Sequence, residues 1–250
     1  MSPSVEPIAT AVAEMRSHAA PANAHAQTTA PQQPAADPAP DGVAVPGSRF
    51  PDAVTLRADG SQTTLAAARG NKTTVVVFYR GAWCPYCNIA LRVYQQVLLP
   101  ALRARGVGLI AVSPQHPDGS LSMAEKQSLE FPVLSDPGNT LARALGIVTQ
   151  PSDEALARQR EHGLHIEEYN ADETVELPMP TTAIVTADGT LAWIDVHPDH
   201  TTRTEPEQVL QALDDLDVTT NQSPNTDWVA PSQKYASKAP TEGNANDNAI

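Results

Sequence analysis

Residues 73–88, TTVVVFYRGAWCPYCN, decide what kind of fold this chain adopts. From Thr73 to Tyr79 the side chains are β-branched or aromatic, with apolar residues on both faces. That is the pattern of a central strand covered on each side, not of a strand with one wet face. From Asn88 to Arg105 the period changes: Ile89, Val93, Val97 and Ala101 recur every four residues and Gly106 follows, which predicts a helix and its end. Between strand and helix stand Cys84 and Cys87, the only cysteines in the chain. The free amides and the dipole at a helix N-terminus stabilise a thiolate, drawing a thiol pKa from about 8.5 toward roughly 3.5–7.5. Two intervening residues let the sulfurs close a small disulfide ring, and Pro85 stiffens that turn. Three readings compete. A zinc half-site needs a second CxxC or CxxH, and the chain has neither. Two incidental buried cysteines need no chemistry at all. A redox-active dithiol makes use of the placement and is the reading favoured.

Outward from this unit the elements alternate. Val107 to Val112 reads as a second buried strand, Leu121 to Leu129 as a short helix, Pro132 to Leu134 as a brief extended piece, and Asn139 to Leu145 as a helix before Gly146. Ser152 to Glu161 is helical. Thr181 to Thr186 and Leu191 to Val196 flank Ala187-Asp188-Gly189, a hairpin signal, with Trp193 in the core alternating with Leu191 and Asp195. A last helix runs from about Pro206 to Leu216, with proline in its first turn. The order predicts an α/β domain over residues 46–216, a mixed central sheet flanked by helices.

Residues 1–45 are rich in Ala, Pro, Gln and Thr and contain no aromatic residue, and residues 217–250 are similarly polar. Such segments cannot bury enough apolar surface to offset their ordering entropy, so both tails are expected to be disordered. A short helix from Ile8 to His18 is the one exception considered. With 16 basic and 29 acidic residues the chain carries a formal charge of −13, which argues against capture of nucleic acid or of anionic lipid and leaves small molecules and proteins as partners. No basic start with a following apolar run marks a secretory signal, and no stretch approaches the roughly 20 apolar residues of a membrane span. The expectation is a cytoplasmic protein, where a thiol pair is kept reduced and serves catalysis or metal. Between Asp153 and Glu176 eight carboxylates meet two arginines, read as a solvated surface insertion. A metal site built on His162 and His165 is the sharper alternative, but their spacing matches no tetrahedral ligand pattern and no metal is expected.

The ordered set of motifs resembles the AhpC/TSA (peroxiredoxin-like) family of the thioredoxin-like superfamily. The resemblance runs through Gly47 to Thr55 (GSRFPDAVT), Asp59-Gly60 and Leu65, FYRGAWCPYCN, the strand leading to His116, and Phe131 to Gly146 (FPVLSDPGNTLARALG). It closes at Met179-Pro180-Thr181, which looks like the cis-proline loop that faces the CxxC in thioredoxin folds. Against the peroxiredoxin pattern FYPxxxTxxC, Phe78 and Tyr79 match, Arg80 replaces the proline, Cys84 replaces the threonine, and Cys87 falls on the sulfur that attacks peroxide. Against the thioredoxin pattern WCxxC, Trp83 precedes Cys84, which would then attack while Cys87 resolves. The chain is similar to the peroxiredoxin-like proteins that carry CxxC in place of TxxC.

The resemblance implies a thiol peroxidase that cycles Cys84 and Cys87 between dithiol and disulfide, is recycled by thioredoxin or a similar dithiol, and needs no cofactor. A protein disulfide oxidoreductase on the same CxxC and a redox-regulated binding module without turnover are the alternatives. A homodimer stays open. Typical peroxiredoxins hold the peroxide with the threonine hydroxyl and an arginine before the late strand. Here those positions are Cys84 and Pro180, so Arg80 is the candidate guanidinium, set against its reading as a surface arginine. Nor does Val75 to Phe78 hold the buried aspartate by which thioredoxins help to deprotonate the resolving thiol. Trp83 and Tyr86 are expected to shape the rim, Pro180 and Thr181 to lie beside the sulfurs, and Asn88 to polarise the motif by hydrogen bonding. His116 and His197 read as loop residues near strand ends, with proton transfer as the alternative.

Overall fold

The computed structural model describes residues 6–19, 40–117 and 128–216. Its centre is a seven-stranded sheet in the order β2-β1-β5-β4-β3-β8-β9. The strands are β1 (Val54–Arg57), β2 (Gln62–Thr64), β3 (Thr74–Phe78), β4 (Gly108–Ser113), β5 (Val133–Ser135), β8 (Thr181–Val185) and β9 (Leu191–Val196). β3, β4 and β5 run parallel, while β1, β8 and the β8–β9 hairpin supply antiparallel pairs. The sheet is mixed, as the sequence predicts. β6 (Val148–Thr149) and β7 (Leu177–Pro178) form a separate two-stranded ribbon.

Every residue of β3 is buried, and alternate side chains go to opposite layers. Val75 and Val77 join one apolar cluster with α1 (Ile8–Ala19), α3 (Pro85–Val93), α4 (Leu99–Ala104) and α7 (Pro206–Asp215). Val76 and Phe78 join the other, with residues of α2 (Leu65–Arg69), α5 (Thr140–Ala144) and Phe50. Each such side chain contributes about 1.5–3 kcal/mol by leaving water. Helix α6 (Asp153–Glu161), capped by the Ser152 hydroxyl, starts the acidic stretch and buries Leu156 against Ile166 and Leu177 in a third, smaller cluster.

Several expectations need correction. The helix after the CxxC starts at Pro85 and is interrupted by a π turn at Tyr94–Leu98, closed by the Leu99 N–H on the Tyr94 carbonyl. Pro100 follows directly; it has no N–H, and its ring crowds the carbonyl four residues back, so the wider turn accommodates it. A bulge in the β8–β9 pair, where Ile184 faces Trp193 and Val185 faces Leu191, breaks the expected alternation. Trp193 therefore packs half-buried on the α3 side and Leu191 is buried on the other. The β1–β2 hairpin is absent from the sequence-based element order. The helix placed at Leu121 to Leu129 lies largely outside the described residues.

The amino-terminal stretch assigned to a tail holds structure. Helix α1, the exception considered at Ile8 to His18, buries Ile8 and Val12 in the α3 cluster, and Glu205 accepts hydrogen bonds from the Ile8 and Ala9 amides at 2.9 and 2.8 Å. An apolar i, i+4 pair and a carboxylate at the helix N-terminus supply what composition alone hides. Further along, the Ala44 amide donates to the Leu145 carbonyl at 2.9 Å, and Gly146 has φ +71° with the Gly42 carbonyl where a Cβ would stand. No described helix is long and apolar enough to cross a membrane.

Candidate active site

The loop between β3 and α3 is built by its neighbours. The Tyr79 amide donates to the Val112 carbonyl at 3.0 Å and the Ala82 amide to Gln115 Oε1 at 2.8 Å, which tie the loop to the end of β4. Gly81 has no room for a Cβ because the Trp83 indole lies over it. Cys84 has extended backbone, φ −86° and ψ 113°, and occupies the N-cap of α3; its carbonyl accepts from the Cys87 and Asn88 amides, both at 3.1 Å. Pro85 is the first helical residue, where a missing N–H costs nothing. Cys87 thus lies in the first turn and its thiol faces inward.

Both cysteines are reduced and buried, at 1% exposure for Cys84 and 0% for Cys87. Burial pushes the Cys87 thiol up, yet it is held well below the ordinary value by the Cys84 thiol, the Arg203 guanidinium and the Arg80 amide. Cys84 moves the other way, raised because it hydrogen-bonds Cys87 and because it is buried. The pair reads as a Cys87 thiolate accepting a proton bond from a Cys84 thiol. The decisive contact is Arg203 Nη2 to Cys87 Sγ, 3.0 Å, buried and 116 residues away in sequence. The second terminal nitrogen of that guanidinium donates to the His200 and Thr202 carbonyls at 2.8 and 2.6 Å, which fixes the group within its own turn. A buried guanidinium beside a thiolate compensates both desolvated charges.

Arg203 has no counterpart among the residues selected from the sequence. It sits between the end of β9 and the proline that opens α7, flanked by Thr202 and Thr204. The one signal pointing to it is an arginine in a short polar turn joining two core elements, and nothing in that turn relates to the CxxC by spacing.

The selected residues divide. Arg80 is buried, not a surface residue; its guanidinium stands 5.0 Å from the Trp83 ring centroid, and the group it turns toward Cys87 is its backbone N–H. Trp83 packs against the Leu156, Ile166 and Leu177 cluster, so the acidic insertion borders the site, and the buried Trp83 Nε1 has no hydrogen-bond partner among the described residues. Tyr86 meets the His200 ring edge-on at 5.9 Å, and the Arg16 guanidinium of α1 lies 5.5 Å from its centroid. Asn88 donates to the Ala82 carbonyl at 3.1 Å, pinning the loop without reaching a sulfur. Thr181 pairs with Phe78, the last residue of β3, which sets Pro180 level with the start of the loop. The peptide bond before Pro180 is trans, correcting the cis expectation; the Pro180 carbonyl accepts from the His197 amide at 2.8 Å. Among the described residues no group of three or more His, Cys, Asp or Glu side chains is placed to hold a metal ion.

Known proteins share this fold. The Vibrio vulnificus peroxiredoxin Prx3, solved in reduced form with hydrogen peroxide, superposes with a TM-score of 0.56 at 20% identity, over 68% of this chain and 99% of its own. The Mycobacterium tuberculosis peroxidoxin BcpB gives 0.52 at 16% identity, over 68% and 95%. At such identities the likeness concerns the fold. Two curated Mycobacterium tuberculosis proteins named as peroxiredoxins, from strains CDC 1551 and H37Rv, are each 32% identical over 101 residues, 40% of this chain. The chain spans 63% of the length of those relatives. The family model described as AhpC/TSA matches residues 46–194, more than half of the sequence and the whole of the CxxC region. By that match, the chain belongs to the AhpC/TSA family.

Proposed function

We propose that the protein is a thiol peroxidase in which Cys87 attacks a hydroperoxide and Cys84 resolves the product. The observation that carries this is the Arg203 guanidinium on Cys87 Sγ, a cation placed where the thiolate forms and where charge grows as the O–O bond breaks. The Cys87 sulfur displaces hydroxide or alkoxide from the peroxide, forming S–O as O–O breaks, and the leaving group takes up a proton. Cys84 then attacks the sulfenic sulfur, S–S forms, and water departs. An external dithiol of the thioredoxin class reduces the disulfide and is itself oxidised. Burial of both sulfurs suits a small hydroperoxide as the oxidant, and reduction of the disulfide by a dithiol protein then requires the start of α3 to open and expose a sulfur.

The test follows NADPH consumption through thioredoxin reductase and thioredoxin with hydrogen peroxide and an alkyl hydroperoxide, together with dimedone trapping of sulfenic acid. Cys87→Ser is expected to lose both turnover and trapping, whereas Cys84→Ser loses turnover and accumulates the sulfenic acid. Trapping on Cys84 in Cys87→Ser moves the nucleophile to Cys84. Rapid insulin reduction without peroxide turnover replaces this reading with the disulfide oxidoreductase.

A further inference from the structure

The turn that delivers Arg203 is clamped on both sides by one pair of side chains. His197, the first residue after β9, places Nδ1 2.8 Å from Thr202 Oγ1 and Nε2 3.0 Å from Asp195 Oδ2. The same Asp195 oxygen accepts from Thr204 Oγ1 at 2.7 Å, and Thr202 Oγ1 also donates to the Asp199 carbonyl at 3.0 Å. Thr202 and Thr204 are the two residues adjoining Arg203, so the pair holds the side chains immediately before and after it. The base of the clamp is fixed in turn. The His197 amide donates to the Pro180 carbonyl, and the buried Tyr94 hydroxyl donates to the Thr204 carbonyl at 2.6 Å. Among the described residues, the side-chain hydrogen bonds of Asp195 and His197 end on this turn and on each other, with none to a sulfur.

We propose that His197, acting with Asp195, is the positioning residue of the site, holding the Thr202–Thr204 segment so that the guanidinium of Arg203 stays on Cys87 Sγ. The proposal rests on the reading of Cys87 as the acting sulfur. An arginine has many rotamers, and one hydrogen bond to sulfur does not select among them; a segment fixed at both neighbours and at the two carbonyls its guanidinium bonds does. A cation that wanders from the sulfur no longer offsets the desolvation of the thiolate, and the thiol is then favoured. The null alternative is that the cluster merely stabilises the β9–α7 connection.

The measurement separating these is the thiolate absorbance near 240 nm as a function of pH in the Cys84→Ser background, where only Cys87 titrates as a thiol. It needs no peroxide and no access of a reagent to the buried sulfur. His197→Ala is expected to raise the midpoint by about one unit, a roughly tenfold loss of thiolate at pH values below it. Thr202→Val, which removes a single exposed hydroxyl, is expected to raise it in the same direction, and His197→Gln, which retains a donor, to recover part of the shift. In an Arg203→Lys background, His197→Ala is expected to add nothing, since the group being positioned is gone. Midpoints of His197→Ala and Thr202→Val that stay at the parent value overturn the proposal, whatever happens to the melting temperature, as does an equal shift with and without Arg203. An unshifted midpoint with peroxide turnover intact discards the clamp and leaves the peroxidase reading; a shifted midpoint in a protein without peroxide turnover does the reverse.

Discussion

Cys87 is served from two regions of opposite character. On one side its immediate neighbours in sequence, from Arg80 through Cys84, supply an amide and a thiol from a strand, a loop and a helix start that follow one another along the chain. On the other side a turn after β9 supplies a guanidinium from 116 residues away, set by hydrogen bonds to Asp195, His197, Tyr94 and Pro180. The first region is local and its chemistry is written as a motif. The second is tertiary, and its chemistry exists only once the sheet has brought β9 beside β8 and β8 beside β3. A motif thus sets where a sulfur goes, while its reactivity is set by whatever the fold brings against it.

The largest effect separating the regions is expected from their two arginines. Arg203→Met removes the donor on the sulfur, and peroxide turnover is expected to fall at least about 100-fold, the scale of losing one preorganised donor at a developing charge. Arg80→Met keeps the backbone N–H that faces Cys87 and loses the contact with Trp83, so turnover is expected to stay within about threefold, with stability lower by about 1 kcal/mol. Steady-state kinetics on both variants reverses the comparison if Arg80→Met is the more damaging.

Glu205 tests how far the tertiary side extends. Its carboxylate caps α1, accepting from the Ile8 and Ala9 amides, while its own backbone amide donates to the Gln208 side chain at the start of α7. Glu205→Ala is expected to cost about 2–3 kcal/mol in urea unfolding and to speed tryptic cleavage after the exposed Arg16. Unchanged cleavage would show that Ile8 and Val12 hold α1 without the carboxylate.

An effect on stability alone comes from a device that is wholly local and away from the sulfurs. Burial pushes the Asp136 carboxyl up to about 6, against the pull of the Leu141 and Ala142 amides that it accepts at the start of α5. Between about pH 4 and pH 6 the folded chain keeps a proton that the unfolded chain has released, so stability from this group falls as pH rises through that window and is level above it. Asp136→Asn keeps an oxygen for both amides and removes the charge. It is expected to gain up to about 3 kcal/mol at pH 8 relative to its effect at pH 4. Equal effects at the two pH values would show that the carboxyl is not held neutral by the fold.

What the sequence makes legible follows the same division. Val75 to Phe78 announces a strand buried on both faces because every side chain is apolar, and the two cysteines announce a helix start because Pro85 and the four-residue spacing follow them. Arg203 is hidden because arginine is read as a surface residue by default, and the TTRTEP turn carries neither apolar periodicity nor a spacing tied to the cysteines. Trp193 packs against the core as read, but its alternation with Leu191 is missed because a bulge is a property of two paired strands, which the strict alternation assumed for one strand cannot show. Helix α1 is veiled by its surroundings: Ile8 and Val12 are two apolar residues in a polar, alanine-rich stretch, sufficient only because α3 offers a surface to receive them.

The distance between Cys87 and Arg203 along the chain also orders events during synthesis. At about 5–20 residues per second, the ribosome delivers the guanidinium roughly 6–23 s after the dithiol. In that interval the motif has its helix start and its neighbouring thiol but lacks its cation. Its reactive form arrives with the last strand and helix of the described fold, when the sulfur is already enclosed. On the proposed reading of Cys87, a nascent chain carries no arginine-paired thiolate until residue 203 has been added.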